Sequence, residues 1–272
     1  MNILELKEKY KIEIGLMFES KQTKDSYTSA LNKFLSENDY VYNLSVNDLK
    51  KYFSNFKIRY SNSYYNVICS AVKIFYEKVL GQKQKMNWFK PIKSERKQVQ
   101  VITFDDFKHI MSNIKSLKQK TITIILYSTG IRISELLNLK LEDVDIINQR
   151  FLIHSLKHGK DRFVPMHDLV VKYIQKYIKQ YCPNEYLFYG QNSNQYSDSS
   201  IRQFLKRAGE GLNKNIYPHK FRHSFGTEMA DHINIFDLKE LFGHKDLKST
   251  MHYYHIPIEK LHKLYNPLNI KN

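Results

Sequence analysis

Apolar residues return every three or four positions through most of the first ninety residues. In KDSYTSALNKFLSEN (24–38), Tyr27, Leu31 and Phe34 fall on one face, the spacing of an amphipathic helix. SVNDLKKYFSNFKI (45–58) opens with Ser45, whose hydroxyl can accept from the unpaired N–H groups of a first turn, and continues with Leu49, Tyr52 and Phe53. The longest stretch, SNSYYNVICSAVKIFYEKVLG (61–81), carries Ile68, Val72 and Phe75 along a stripe and reaches Gly81, a natural stop. The pattern predicts a small helical bundle.

The second half mixes periods. TFDDFKHIMSNI (103–114) offers Thr103 as a cap with acids in the first turn, and QKTITIILYSTG (119–130) reads as an almost wholly apolar helix ended by Gly130. Ser134 can cap the helix that follows. RFLIHSLKHGKDRFVPM (150–166) places two short apolar runs around a Lys-His-Gly-Lys turn, the signature of a β-hairpin. In YPHKFRHSFGTEMADH (217–232), Pro218 can start a helix whose buried stripe is Phe221, Phe225 and Met229. The expected fold is mainly α with a small antiparallel β-sheet in the C-terminal domain, an α+β chain. Between the halves, QKQKMNWFKPIKSERKQVQV (82–101) combines Pro91 with a run of basic side chains, which marks a boundary. The expected domains are a helical bundle over 1–90, a basic linker over 91–101 and a second domain over 102–272.

Composition narrows the class of partner. The 272 residues are 42% hydrophobic, enough for folded cores, yet Lys+Arg exceed Asp+Glu by 43 to 27, a net charge of +16. Both halves share that excess, with 18 basic and 10 acidic residues over 1–100 and 25 and 17 over 101–272. Positive charge spread along a whole chain suits a long polyanion better than a local acidic patch. Cys69 and Cys182 lack the spacing of a metal or redox motif and read as free thiols of a reducing compartment. The start, MNILELKEKYKIEIG, lacks the apolar core of a signal peptide, and no run is long enough for a membrane span. A soluble, cytoplasmic protein is expected, without a membrane partner.

Three segments carry candidate chemistry. In YSTGIRISELLNLK (127–140), Arg132 sits on a short connection at a helix N-terminus, where unpaired N–H groups and a guanidinium together suit a phosphate oxygen. In the 217–232 segment, His219 and Arg222 are three apart and can address one ligand, although such a pair also makes an ordinary polar face. ELFGHKDLKSTMHYYHI (240–256) packs His244, His252 and His255 close to the adjacent Tyr253 and Tyr254. On a helix those two tyrosines point about 100° apart, so both cannot face one phosphate.

Together these blocks, an Arg in TGxRxSEL, a Lys in a hairpin, HxxR, then Gly-His with a tyrosine nine residues on, resemble the tyrosine recombinase (phage integrase) family, in particular its Xer-like two-domain members. The resemblance covers about Thr103 to Ile256, and the N-terminal bundle is similar in length and character to the family's core-binding domain. It implies a site-specific DNA recombinase that cuts and rejoins strands through a 3′-phosphotyrosyl link, as in dimer resolution or mobile-element integration. Relaxation of DNA in the manner of a type IB topoisomerase, or DNA binding without catalysis, are the alternatives. Carried over residue by residue, Arg132 and Arg222 hold the scissile phosphate and Lys157 protonates the departing 5′ oxygen, with Lys160, three residues later, as the competing candidate that the position of the following Val-Pro disfavours. His219 relays protons, His244 bonds the phosphate and positions the nucleophile, and Glu135 steadies the network. Tyr253 is the nucleophile, while His223 is structural and His252 and His255 are bystanders. No metal or other cofactor is implied. The implied partners are double-stranded DNA with an inverted-repeat site, bound by both domains as a basic clamp, and further copies of the chain. Those copies form a tetramer in which a C-terminal tail helix bearing Ile258, Leu261, Tyr265 and Leu268 is exchanged between subunits.

Overall fold

The structure, a computed structural model, describes residues 2–38, 40–93, 100–155, 160–190 and 195–254. The chain divides into two compact units, Met1–Lys97 and Gln98–Asn272. The first unit is helical. It holds α1 (Ile3–Met17), α2 (Lys21–Glu37), α3 (Val46–Arg59) and α4 (Asn62–Ile74). Each begins on a side chain that accepts from its own first turn: Asn2, Ser20, Ser45 and Ser61. Ser45 also receives a reciprocal bond, its N–H donating to Asp48 at 2.8 Å. Phe75–Val79 extends α4 as a wider π-helical turn in which the Leu80 N–H reaches the Phe75 carbonyl at 3.1 Å. Gly81 then leaves the helix at φ +69°, the left-handed conformation that a Cβ disfavours.

The core of this unit is aromatic. Phe34, Phe53, Phe75 and Tyr76 are fully buried, and the Tyr76 hydroxyl donates to the Val41 carbonyl at 2.7 Å. The stripes expected in α2, α3 and α4 contribute Leu31, Phe34, Leu49, Phe53, Ile68, Val72 and Phe75 to it. Met86 and Phe89 are buried in the same core, and the Ile92 N–H donates to the Asn66 side chain at 2.9 Å. The first part of the basic stretch 82–101 therefore packs as helical-unit structure, while 94–99 lie outside the described residues.

The second unit is built around α6 (Leu117–Thr129), packed by α5 (Phe104–Asn113), α8 (Asp168–Tyr181), α9 (Asp198–Ala208) and α10 (Pro218–Met229). Two short helices, α7 (Ile133–Asn138) and α11 (Ile235–Phe242), and the single turn α12 (Lys248–Met251) complete it. α6 is buried on several sides and yet contains threonines and a serine. It tolerates them because Thr121, Thr123, Ser128 and Thr129 return their hydroxyls to carbonyls one turn earlier, at 2.6 to 2.8 Å. The sheet is antiparallel, β1 (Val144–Asp145), β2 (Arg150–Ile153) and β3 (Arg162–Pro165), in the order β1-β2-β3. Phe151 pairs Val164 and Ile153 pairs Arg162, which fixes the hairpin register.

The fold class is as the sequence implies, mainly helical with one small antiparallel sheet. Two local expectations need correction. The cap of α7 is Arg132, not Ser134, because Glu135 at the third helical position reaches back to the Arg132 N–H at 2.8 Å. Of the stripe expected on α10, only Phe221 is fully buried; Phe225 and Met229 are half-buried and line an open apolar cavity of about 630 Å³.

The Tyr177 hydroxyl is buried without a hydrogen-bond partner among the described residues. An unmade buried hydrogen bond costs about 1–3 kcal/mol. Tyr177→Phe should therefore stabilise the chain by about 1 kcal/mol, a rise of about 2–4 °C in Tm by thermal denaturation. A lower Tm would mean that the hydroxyl has a partner after all. No described helix is long and apolar enough to cross a membrane.

Candidate functional site

Three turns bring the candidate residues together in the second unit. Gly130 ends α6 at φ +59°, and a Cβ there would stand 2.6 Å from the Phe225 ring, so this turn needs glycine both for its conformation and for the close approach. It delivers Arg132 to the N-terminus of α7. Pro218 at the first position of α10 starts the helix that presents His219 and Arg222. Gly243 caps α11 at φ +58° and turns the chain towards His244.

The C-terminus of α11 is the hub. Its Phe242 carbonyl accepts from Arg132 Nη1 at 3.1 Å and from Arg222 Nη2 at 2.9 Å. The neighbouring Leu241 carbonyl accepts from Arg162 Nε at 2.8 Å. The last carbonyls of a helix lack intrahelical donors and carry partial negative charge, so three guanidiniums gather there at little cost. Arg222 is only 2% exposed; its Nη1 donates to the Gly130 carbonyl at 2.9 Å, and its guanidinium lies 4.0 Å over the Phe242 ring. Burial first, and the nearby Arg132 second, pull its pKa down to about 9, which leaves it charged at neutral pH.

One buried carboxylate opposes this charge. Burial alone would raise the pKa of Glu135, but the Arg162 fork, followed by Arg132, outweighs it and holds the carboxyl below its ordinary range. Two positive charges remain uncompensated within the described cluster, where Arg222 is buried, the Arg162 side chain is 10% exposed and Arg132 is partly open to solvent. Like charges so close are stable only while carbonyls share them, and an incoming anion relieves them.

The imidazoles are neutral here. His244 Nε2 lies 3.1 Å from Arg222 Nη2, which can only donate, so the His244 proton sits on Nδ1 and points at Thr250 Oγ1, 2.8 Å away. Burial, then Arg222 and Arg132, press its pKa down to about 4. His219 is lowered by the same causes in the same order and faces solvent. His223 lies between, its ring 4.6 Å from His219 and 5.7 Å from Tyr253, and burial takes its pKa to about 4.

Tyr253 is 7% exposed and packs on Phe242 and His252 at ring separations of 5.5 and 4.0 Å. Burial raises its pKa, while Arg222 and Arg132 pull the other way. The Tyr254 hydroxyl instead donates to the Ile233 carbonyl at 2.7 Å. Gly226 on α10 makes room for the Tyr253 ring: a Cβ there would come within 2.7 and 2.8 Å of its Cε1 and Cζ. Glycine inside a helix costs about 1 kcal/mol relative to alanine, so this one stays for the packing it permits. Gly226→Ala should push the phenol aside and slow DNA cleavage about 100-fold with little change in DNA affinity. Single-turnover cleavage beside a binding titration checks this, and an unchanged rate would show that the ring position does not matter.

Arg132, Glu135, Arg222, His244 and Tyr253 are thus brought into one cluster, with His219 beside it. Lys157 and His255 lie outside the described residues, as do Ile258, Leu261, Tyr265 and Leu268. Just beyond β2, the two ring nitrogens of His154 meet Asp161 at 2.7 Å and Asp143 at 2.8 Å. Those carboxylates raise its pKa. The sequence reading passed over Arg162. Its signal was strand alternation: in Arg162-Phe163-Val164, an inward Val164 turns Arg162 inward too, and an inward arginine needs a carboxylate.

Comparison with known proteins places the chain in a family. The pattern of the phage integrase family matches residues 100–259. Tyrosine recombinase XerA of Pyrococcus horikoshii is 31% identical over 260 residues, 93% of this chain and 90% of that protein. A crystal structure of XerA recombinase superposes with a TM-score of 0.55 at 25% identity, covering 98% of this chain and 99% of that one. The Tn1549 transposon integrase, solved in complex with circular intermediate DNA, shares the fold at a TM-score of 0.75 and 18% identity, covering 96% of this chain and 99% of that one. The chain belongs to the phage integrase family and is a Xer-like tyrosine recombinase, an enzyme of site-specific recombination.

Proposed function

We propose that this recombinase cuts duplex DNA by attack of Tyr253 Oη on a backbone phosphorus, forming a 3′-phosphotyrosyl bond as the bond to the 5′ oxygen breaks. The observation that carries the reading is the surplus of guanidinium charge converging beside a buried phenol. Charge grows on the non-bridging oxygens as phosphorus becomes five-coordinate, and prepositioned Arg132 and Arg222 stabilise that state more than the ground state. His219, kept neutral by burial and by the arginines, accepts the phenol proton. His244 donates to nothing on its Arg222 side and so helps set that guanidinium. Lys157 gives the leaving 5′ oxygen its proton; that role rests on the sequence resemblance. The phosphotyrosyl bond conserves the energy of the broken diester, so a second 5′ hydroxyl can reseal it and return the proton.

Both units contribute positive charge to the duplex, at a site that is an inverted repeat, and four copies exchange strands in the cytoplasm. The apolar cavity of about 630 Å³ in the second unit, bordered by Phe104, Phe107, Phe225 and Met229, supports exchange of the 255–272 tail, whose Ile258, Leu261, Tyr265 and Leu268 recur at helical spacing. The test of the chemistry is a duplex nicked just beyond the scissile phosphate, so that the short product diffuses away. The protein should become linked to the 3′ end of the cut strand, with one peptide containing Tyr253 carrying the nucleotide. Attachment to a 5′ end, or hydrolysis without attachment, would overturn it.

A further inference from the structure

Glu135 receives four donors, which fills a carboxylate. Its Oε1 takes Arg132 Nη1 at 2.8 Å and Arg162 Nη1 at 3.1 Å; its Oε2 takes the Arg132 N–H at 2.8 Å and Arg162 Nη2 at 2.9 Å. Arg162 makes the fork, one nitrogen to each oxygen, and its side chain is 10% exposed against 38% for Arg132. Space for that fork is provided elsewhere in the chain: a Cβ on Gly243 would stand 2.9 Å from Arg162 Nη1. The described hydrogen bonds of the Arg132 side chain use Nη1 alone, to Glu135 and to the Phe242 carbonyl.

We infer that Arg162 is a positioning residue for the strand-cutting step, one that occupies Glu135 so that Arg132 keeps its Nε and Nη2 groups for the scissile phosphate. This rests on the reading of Arg132 as a phosphate ligand. The physical reason is competition between anions. A buried carboxylate stripped of its fork is left undercompensated, and the nearest cation able to swing onto it is Arg132. Bidentate pairing with Glu135 would then withdraw Arg132 from the DNA. With Arg162 present, both Glu135 oxygens are already occupied, and the Arg132 guanidinium is held by one of its nitrogens only. Arg162 also ties the hairpin strand β3 to the end of α11, so the same side chain fixes the carbonyl pair on which Arg132 and Arg222 rest.

The experiment is a mutant cycle on single-turnover cleavage, with DNA affinity and thermal melting measured on each protein. Arg162→Met should slow cleavage about 100-fold at saturating DNA while affinity stays within about threefold, because ground-state binding is spread over many phosphates. In a Glu135→Gln background the same change should cost less than about threefold, since a neutral amide does not capture Arg132. A loss of full size in that background would overturn the proposal, as would affinity falling in step with rate. Arg162→Lys, which keeps the charge but cannot span two oxygens, carries the same expectations if Arg162→Met melts below the assay temperature. Arg132→Ala separates the two readings. If it cleaves like the wild type, the phosphate role of Arg132 fails; if it is crippled while Arg162→Met is not, only the role of Arg162 fails.

Discussion

Tyr253→Phe should bind its DNA site with wild-type affinity and form no covalent adduct on a denaturing gel. The change removes one oxygen and leaves the ring, whose packing on Phe242, His252 and the open face of Gly226 is what holds this segment in place. Stability should barely move. The loss of adduct is complete rather than partial, because no other group can supply the bond to phosphorus from that position. Tyr254→Phe is the control. Its hydroxyl is committed to the Ile233 carbonyl, so the variant should lose about 1 kcal/mol of stability and keep its adduct. Adduct at wild-type level in Tyr253→Phe would remove Tyr253 from the mechanism.

Arg222→Gln should lower the cleavage rate by about 10³ to 10⁵, the range seen when an arginine that meets a transferring phosphoryl group is lost. The amide keeps some hydrogen bonding towards Gly130 and Phe242 but carries no charge. A structural cost accompanies this, since the two buried carbonyls and His244 lose part of their donor set, at about 1–3 kcal/mol for each group left unpaired. Melting curves separate the two effects. A folded variant whose cleavage falls less than about tenfold would make Arg222 a strut rather than a phosphate ligand.

Much of this was legible in the chain because the relevant signals are local. Ser45, Thr103, Gly130 and Pro218 mark helix ends through hydrogen bonds and backbone angles set within four residues, and each stands at such an end. The hairpin followed from two short apolar runs flanking a Lys-His-Gly-Lys turn over 150–166. The first helix left a weaker trace: Leu6, Tyr10 and Ile14 form its buried stripe, but exposed Leu4, Ile12 and Leu16 blur the contrast on which periodicity depends. The cluster around Tyr253 could be named from the motif blocks, though not its electrostatics. That three arginines would converge on the end of one short helix depends on contacts between residues up to 110 positions apart. Arg162 was hidden for a related reason. Phe163 looks like the core residue of its strand, yet it is the exposed one, stacked under Arg150 at 4.1 Å.

The close seating of the Tyr253 ring on Gly226 bears on how copies of the enzyme share labour. The Tyr253 ring is seated by α10 and α11 of its own polypeptide, the helices that also present or carry Arg222 and the Phe242 carbonyl. The proposed nucleophile and phosphate ligands therefore travel together as one inherited set. If Tyr253 attacks as proposed, each protomer should break the strand that it grips, and a mixture of two defective proteins, one without the phenol and one without the guanidinium, should form no adduct.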